Sequence, residues 1–150
     1  MKQLTKLVTD FRKALDDATA AGEFVYDISF RDFPNGCCGD TCDLLGQYLL
    51  CHDIETDYIC GEWYGEDFEW TTHAWLLTKD GTIIDITGDQ FQNDQRFYNF
   101  NIPVFVGKSN AFYDLFQERT SRSTVPLHKI SCLEPCRLPN LYNAILNYIK

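Results

Sequence analysis

Two runs rich in β-branched and aromatic residues, Trp70–Thr78 and Thr82–Thr87, are separated only by Lys79-Asp80-Gly81. So short a link cannot cross over a sheet, so the runs pair as an antiparallel hairpin. Loop length then sets the register. If all of Lys79, Asp80 and Gly81 form the loop, Thr78 faces Thr82 and Asp85 falls opposite Trp75. His73 becomes the diagonal neighbour of Asp85 on the same face. A loop one residue shorter would put His73 and Asp85 on opposite faces. Gly81 favours the longer form, whose last position is usually left-handed. Asp85 stands among Ile83, Ile84 and Ile86, and a carboxylate inside an apolar strand needs a partner. Thr56–Tyr64 has the same β-branched and aromatic character, is broken by Gly65-Glu66-Asp67, and reads as another strand of the sheet.

Helical periodicity brackets these strands. Leu4, Leu7, Val8, Phe11, Leu15 and Ala18 form one stripe, which predicts a helix over roughly residues 2–20 with Gly22 as its stop. Pro34-Asn35-Gly36 is a turn. After it, Cys38, Cys42, Leu45 and Leu49 share a stripe with Leu44 and Tyr48 beside it, predicting a buried helix from about Cys37 to Cys51. A thiol at the start of a helix faces unpaired N–H groups with partial positive charge, which stabilise a thiolate. Gly88 to Asn101 reads as loop and Pro103–Gly107 as a short strand. Ala111 to Glu118 reads as a helical turn or two, Arg119 to Arg137 as loop, and Leu138 to Lys150 as a last helix. No repeat, low-complexity tract or linker divides the chain, so residues 1–150 are expected to form a single α+β domain.

A net charge of -9 disfavours nucleic acid or anionic membrane as the main partner, because both need a cationic face. No apolar run approaches the ~20 residues of a membrane span. The amphipathic, charged N-terminus has no apolar signal core. The expected location is therefore cytoplasmic, with export as an effector lacking a secretory signal as the other route. The seven cysteines are an odd number, so at least one is left unpaired. Most or all are expected to be reduced.

Gly36-x-Cys38-x-x-x-Cys42-x-Leu44-Leu45, then His73-Ala74-Trp75, then Asp85-x-Thr87 resembles the transglutaminase-like branch of the papain-like cysteine enzymes. That family shows Gly-x-Cys with a small residue four positions on, His-Ala-Trp on a strand and Asp-x-Thr on the next strand. The match covers roughly residues 34–91. Cys42 departs from the alanine or serine usual in the family, and Cys37 adjoins the matching cysteine. The resemblance implies a papain-like core, with the nucleophile helix packed on an antiparallel sheet that carries His and Asp. It implies Cys38 as nucleophile, in preference to Cys37, His73 as base and Asp85 as the orienting carboxylate of a catalytic triad. Reactions in the family include peptidase, amidase, glutamine deamidase and transglutaminase chemistry. No cofactor is implied; the implied partner is a peptide or protein substrate with a carboxamide. The backbone N–H of Cys38 is one oxyanion donor, and Asn35 and Gln90 are candidates for a second.

Other readings compete. Cys42, Cys51 and Cys60 fit the role of small buried hydrophobes. Trp75 either walls the site against water or is core. His52 and His128 read as ordinary side chains. Glu62, Glu66, Asp67 and Glu69 form a solvated rim that could also favour basic peptides. A binding or accessory protein could retain the triad for structure alone. A zinc-stabilised interaction module is a further alternative, since Cys37, Cys38, Cys42, Cys51, His52, Cys60, Cys132 and Cys136 are rich in zinc-ligand types, although none has paired Cys-x-x-Cys spacing.

Overall fold

A computed structural model describes the backbone of residues 1–150 and every side chain except that of Glu118. The chain is α+β. Helix α1 (Lys2–Ala20) is followed by α2 (Cys38–Leu50) and by strands β1 (Thr56–Tyr64), β2 (Trp70–Thr78), β3 (Ile83–Asp85) and β4 (Phe105–Gly107). A short α3 (Ala111–Asp114), strand β5 (Gln117–Ser123) and α4 (Arg137–Leu146) complete it. The strands form one antiparallel sheet in the order β4-β3-β2-β1-β5.

The apolar stripe of α1 faces the core: Val8, Phe11, Ala14, Leu15 and Ala18 have no solvent exposure, and Leu4 and Leu7 are half-buried against them. Each Val, Leu or Phe so buried contributes roughly 1.5–3 kcal/mol. The helix ends in a Schellman motif, with Glu23 N–H donating to Ala18 O and Gly22 N–H to Thr19 O. Gly22 takes the left-handed conformation this needs, at φ +81°. Helices α1, α2 and α4 cover one face of the sheet, meeting Ala74, Leu76, Ile84 and Ile86. The other face carries a second, largely aromatic core of Trp75, Phe91, Phe97, Phe100, Phe112, Tyr113 and Phe116 with Ile59 and Ile83.

The hairpin has the register that places His73 and Asp85 on one face. Leu76 pairs with Ile84 and Leu77 with Ile83, and Thr78 N–H donates to Thr82 O across the loop. Gly81 closes the loop at φ +84°.

Several sequence expectations are corrected. Gln117–Ser123, within segments expected as helix and loop, is the edge strand β5. Its residues are polar without apolar alternation because an outermost strand with both arginines and hydroxyls needs no buried face. Of the one or two helical turns expected in 111–118, one forms, at Ala111–Asp114, and the last helix, expected to reach Lys150, stops at Leu146. The Gly88–Asn101 stretch, expected as loop, packs into the core. It winds through two 3-10 turns and buries Phe91, Phe97 and Phe100. Cys51 is exposed at the end of α2 and Cys60 is half-buried, so of the three cysteines expected to be buried only Cys42 is.

Gly61 pairs with His73 and leaves room for the aromatic core. A Cβ there would stand 2.6 Å from Phe116 Cβ and 3.0 Å from Trp75 Cη2. Gly61→Ala is therefore expected to cost about 1–3 kcal/mol, read as a lower urea midpoint with unchanged slope. An unchanged midpoint would show that the aromatic layer yields freely.

Candidate active site

The three sequence-selected residues come together where the sheet splits. β2 pairs with β1 along its whole length but with β3 only at Leu76 and Leu77. Had the β2–β3 ladder continued, Ala74 N–H would reach toward Ile86 O. Instead the Ile86 carbonyl accepts from Arg12 Nη1 at 2.8 Å. The Ala74 N–H and the His73 ring both act on the Cys38 sulfur and favour its thiolate form. The first residue of α2 thus enters the opening between the strands.

His73 is fully buried and Asp85 nearly so, at 2% exposure. His73 Nε2 lies 2.7 Å from Asp85 Oδ2, leaving Nδ1 to face the thiol. Tyr113 donates its hydroxyl to the same carboxylate oxygen at 2.9 Å. Thr87 donates its backbone N–H to Oδ1 at 2.9 Å and its hydroxyl at 3.4 Å. The carboxylate is saturated with donors that favour its charged form. Burial alone would raise the Asp85 pKa, but the His73 charge and hydrogen bond, with Thr87 and Tyr113, bring it below the ordinary value. Burial likewise opposes charge on His73, and Asp85 overrides it, with a further contribution from Cys38, to raise the imidazole to about 10. Ring contacts to Phe91, Phe112 and Phe116 at 5.2–5.7 Å add aromatic surroundings that tolerate a cation.

The same electrostatics separate the adjacent thiols. Burial pushes Cys38 up, but the His73 hydrogen bond and charge and the Ala74 N–H more than reverse this, so its pKa is lowered. Cys37, the N-cap of α2, is buried and pushed up to about 12, chiefly by desolvation. Cys42 is raised for the same reason. Of the two cysteines in the turn, Cys38 alone has the environment of a thiolate.

Gln90 lies beside this pair. Its Nε2 donates to Thr87 O at 3.0 Å and stands 3.3 Å from His73 Nδ1. Asn35, the other sequence candidate for a donor, turns its amide onto Asp32 O at an exposed site. Trp75 is both core and wall: it is 2% exposed and its ring lies 5.9 Å from that of His73.

Two supports escaped the sequence reading. Tyr113 lies far from Asp85 in sequence and had no local signal. Arg12 was discernible: it falls on the buried stripe of α1, between Val8 and Leu15, and a buried guanidinium demands a buried acceptor. It pairs with Asp89 through two hydrogen bonds of 2.8 and 2.9 Å and also donates to Pro103 O at 3.0 Å. Arg12 thereby ties α1 to the turn that carries Thr87 and Gln90.

Among the described residues no group of three or more His, Cys, Asp or Glu converges in a way that could hold a metal ion. Among the described residues no helix is long and apolar enough to cross a membrane. Comparison with family models, with curated proteins and with solved structures finds no match.

Proposed function

We propose that the chain is a cysteine-dependent acyl-transfer enzyme acting on carboxamides through a thioester at Cys38. The observation that carries this reading is the hydrogen-bonded series Cys38–His73–Asp85, with the Cys38 pKa lowered and the His73 pKa raised. The likeness of the Cys38, His73 and Asp85 motifs to transglutaminase-like enzymes supports it, and a papain-like core is part of the same proposal.

The Cys38 thiolate attacks the carbonyl carbon, and the carbonyl π electrons move onto oxygen. In the ion-paired state His73 Nδ1–H points at the sulfur, so the ring offers Gln90 no acceptor. The Gln90 N–H is then free to join the Cys38 backbone N–H in binding the oxyanion. Collapse breaks the C–N bond, and His73 gives its proton to the departing amine or ammonia. Asp85 holds the ring orientation throughout. Water, deprotonated by His73, then cleaves the thioester to a carboxylic acid; an amine in place of water gives a new amide.

Intact-mass analysis after incubation with glutamine peptides tests the thioester. The expected product is an adduct on Cys38 lighter than substrate by the mass of ammonia, released by hydroxylamine with stoichiometric ammonia in solution. Ammonia release without any adduct, undiminished in Cys38→Ala, would sink the reading.

A further inference from the structure

The sheet extends past the helix that carries the thiol. Thr78 N–H donates to Thr82 O, so the backbone groups of Leu76, Ala74, Thr72 and Trp70 face the same edge of β2. Leu76 is used by β3, and Ala74 N–H by the Cys38 sulfur. Beyond them the backbone N–H and C=O groups of Thr72 and Trp70 have no hydrogen-bond partner on that edge among the described residues. An unpaired row of this kind is a template for another strand.

The surface beside it is open. Ala74 and Leu76 pack under the helices, and Thr72 and Trp70 lie on that same face by alternation. The helix layer begins only at Cys38. Trp70 and its cross-strand partner Tyr64 are 57% and 55% exposed, and Thr72 is half-buried opposite Glu62. Glu62, Glu66 and Asp67 ring this end of the hairpin, and none of them has a salt-bridge partner among the described residues.

We propose that the β2 edge from Trp70 to Ala74 takes an extended peptide bearing lysine or arginine as an added strand, and so delivers a carboxamide of that peptide to Cys38. The free edge leads directly to the thiol, which selects an extended chain over a compact amide. Carboxylates without a cationic partner among the described residues, Glu62 accepting only from the Tyr64 hydroxyl at 2.8 Å, and the net charge of -9 select a cationic one. The inference rests on the reading of Cys38 as an acyl-transfer nucleophile.

Amide hydrogen exchange on full-length Cys38→Ala protein tests it without turnover. The probe is a pool of end-blocked heptapeptides with central glutamine, flanking lysines and the remaining positions randomised, added at millimolar concentration. The Thr72 and Trp70 amides are expected to slow at least about tenfold, while Thr71 and His73, already in the β1 ladder, stay unchanged. In a single binding peptide, N-methylation is expected to weaken binding about five- to tenfold at alternate positions and little between them. Unchanged Thr72 exchange in the pool, or equal losses at every methylated position, would overturn the proposal. Protection at Thr72 without turnover by the wild-type chain would uphold the edge and reject the acyl-transfer reading. Turnover of small amides without that protection would reject the edge alone.

Discussion

Cys38→Ala is expected to lower turnover of a carboxamide substrate by on the order of 10⁴-fold or more, while Cys37→Ala leaves most of it. The two thiols are chain neighbours, so the contrast isolates environment from position. Iodoacetamide should label Cys38 ahead of the buried Cys37 and Cys42, and its rate should persist below the ordinary thiol value of 9.0 because the Cys38 pKa is lowered. The sign follows from which form reacts. As pH falls through the lowered Cys38 pKa the thiolate is protonated and labelling declines. As pH rises through about 10, His73 loses its proton. Labelling then survives, since the thiolate remains, but turnover falls for want of an acid. Asp85→Asn removes the charge that keeps His73 protonated, so labelling at neutral pH should drop by more than about tenfold. Equal labelling of all thiols, or a Cys38 profile centred on 9.0, would reject an activated cysteine.

Arg12→Met should destabilise the fold more than Gly61→Ala does, at about 3–5 kcal/mol. It leaves Asp89 buried without its cation and strips a donor from the carbonyls of Ile86 and Pro103. For a chain of this size that corresponds to a melting point lower by roughly 6–20 °C. Arg12→Met combined with Asp89→Leu should recover part of the loss, since no charge is then left buried alone. Full additivity of the two substitutions would show that the pair is not coupled. Thr87 and Gln90 sit on the turn that Arg12 holds, so the single variant should also lose turnover below its melting point.

Much of this was readable in the chain. Gly81 dictated the loop, the loop dictated the register, and the register put His73 beside Asp85. The isoleucines around Asp85 signalled a buried carboxylate with a partner. The turn before Cys38 marked a helix start. What stayed hidden depends on contacts distant in sequence. Tyr113 reaches Asp85 only after the chain returns under the sheet. β5 carries no apolar alternation, because an outer strand with polar side chains draws its stability from the β1 ladder. The Gly88–Asn101 stretch was legible as non-regular but not as core, since Phe91, Phe97 and Phe100 have no period to reveal a common face.

The shortness of β3 sets a limit on how this protein can vary. The sulfur of Cys38 occupies the rung that the next residue pair of the β2–β3 ladder would fill. Zipping the strands further would give Ala74 a carbonyl in place of a thiol and displace Cys38 from the opening between them. Under the proposed acyl-transfer role, strand length is thus a catalytic dimension: one more rung between β2 and β3 would trade the reactivity of Cys38 for a more regular fold.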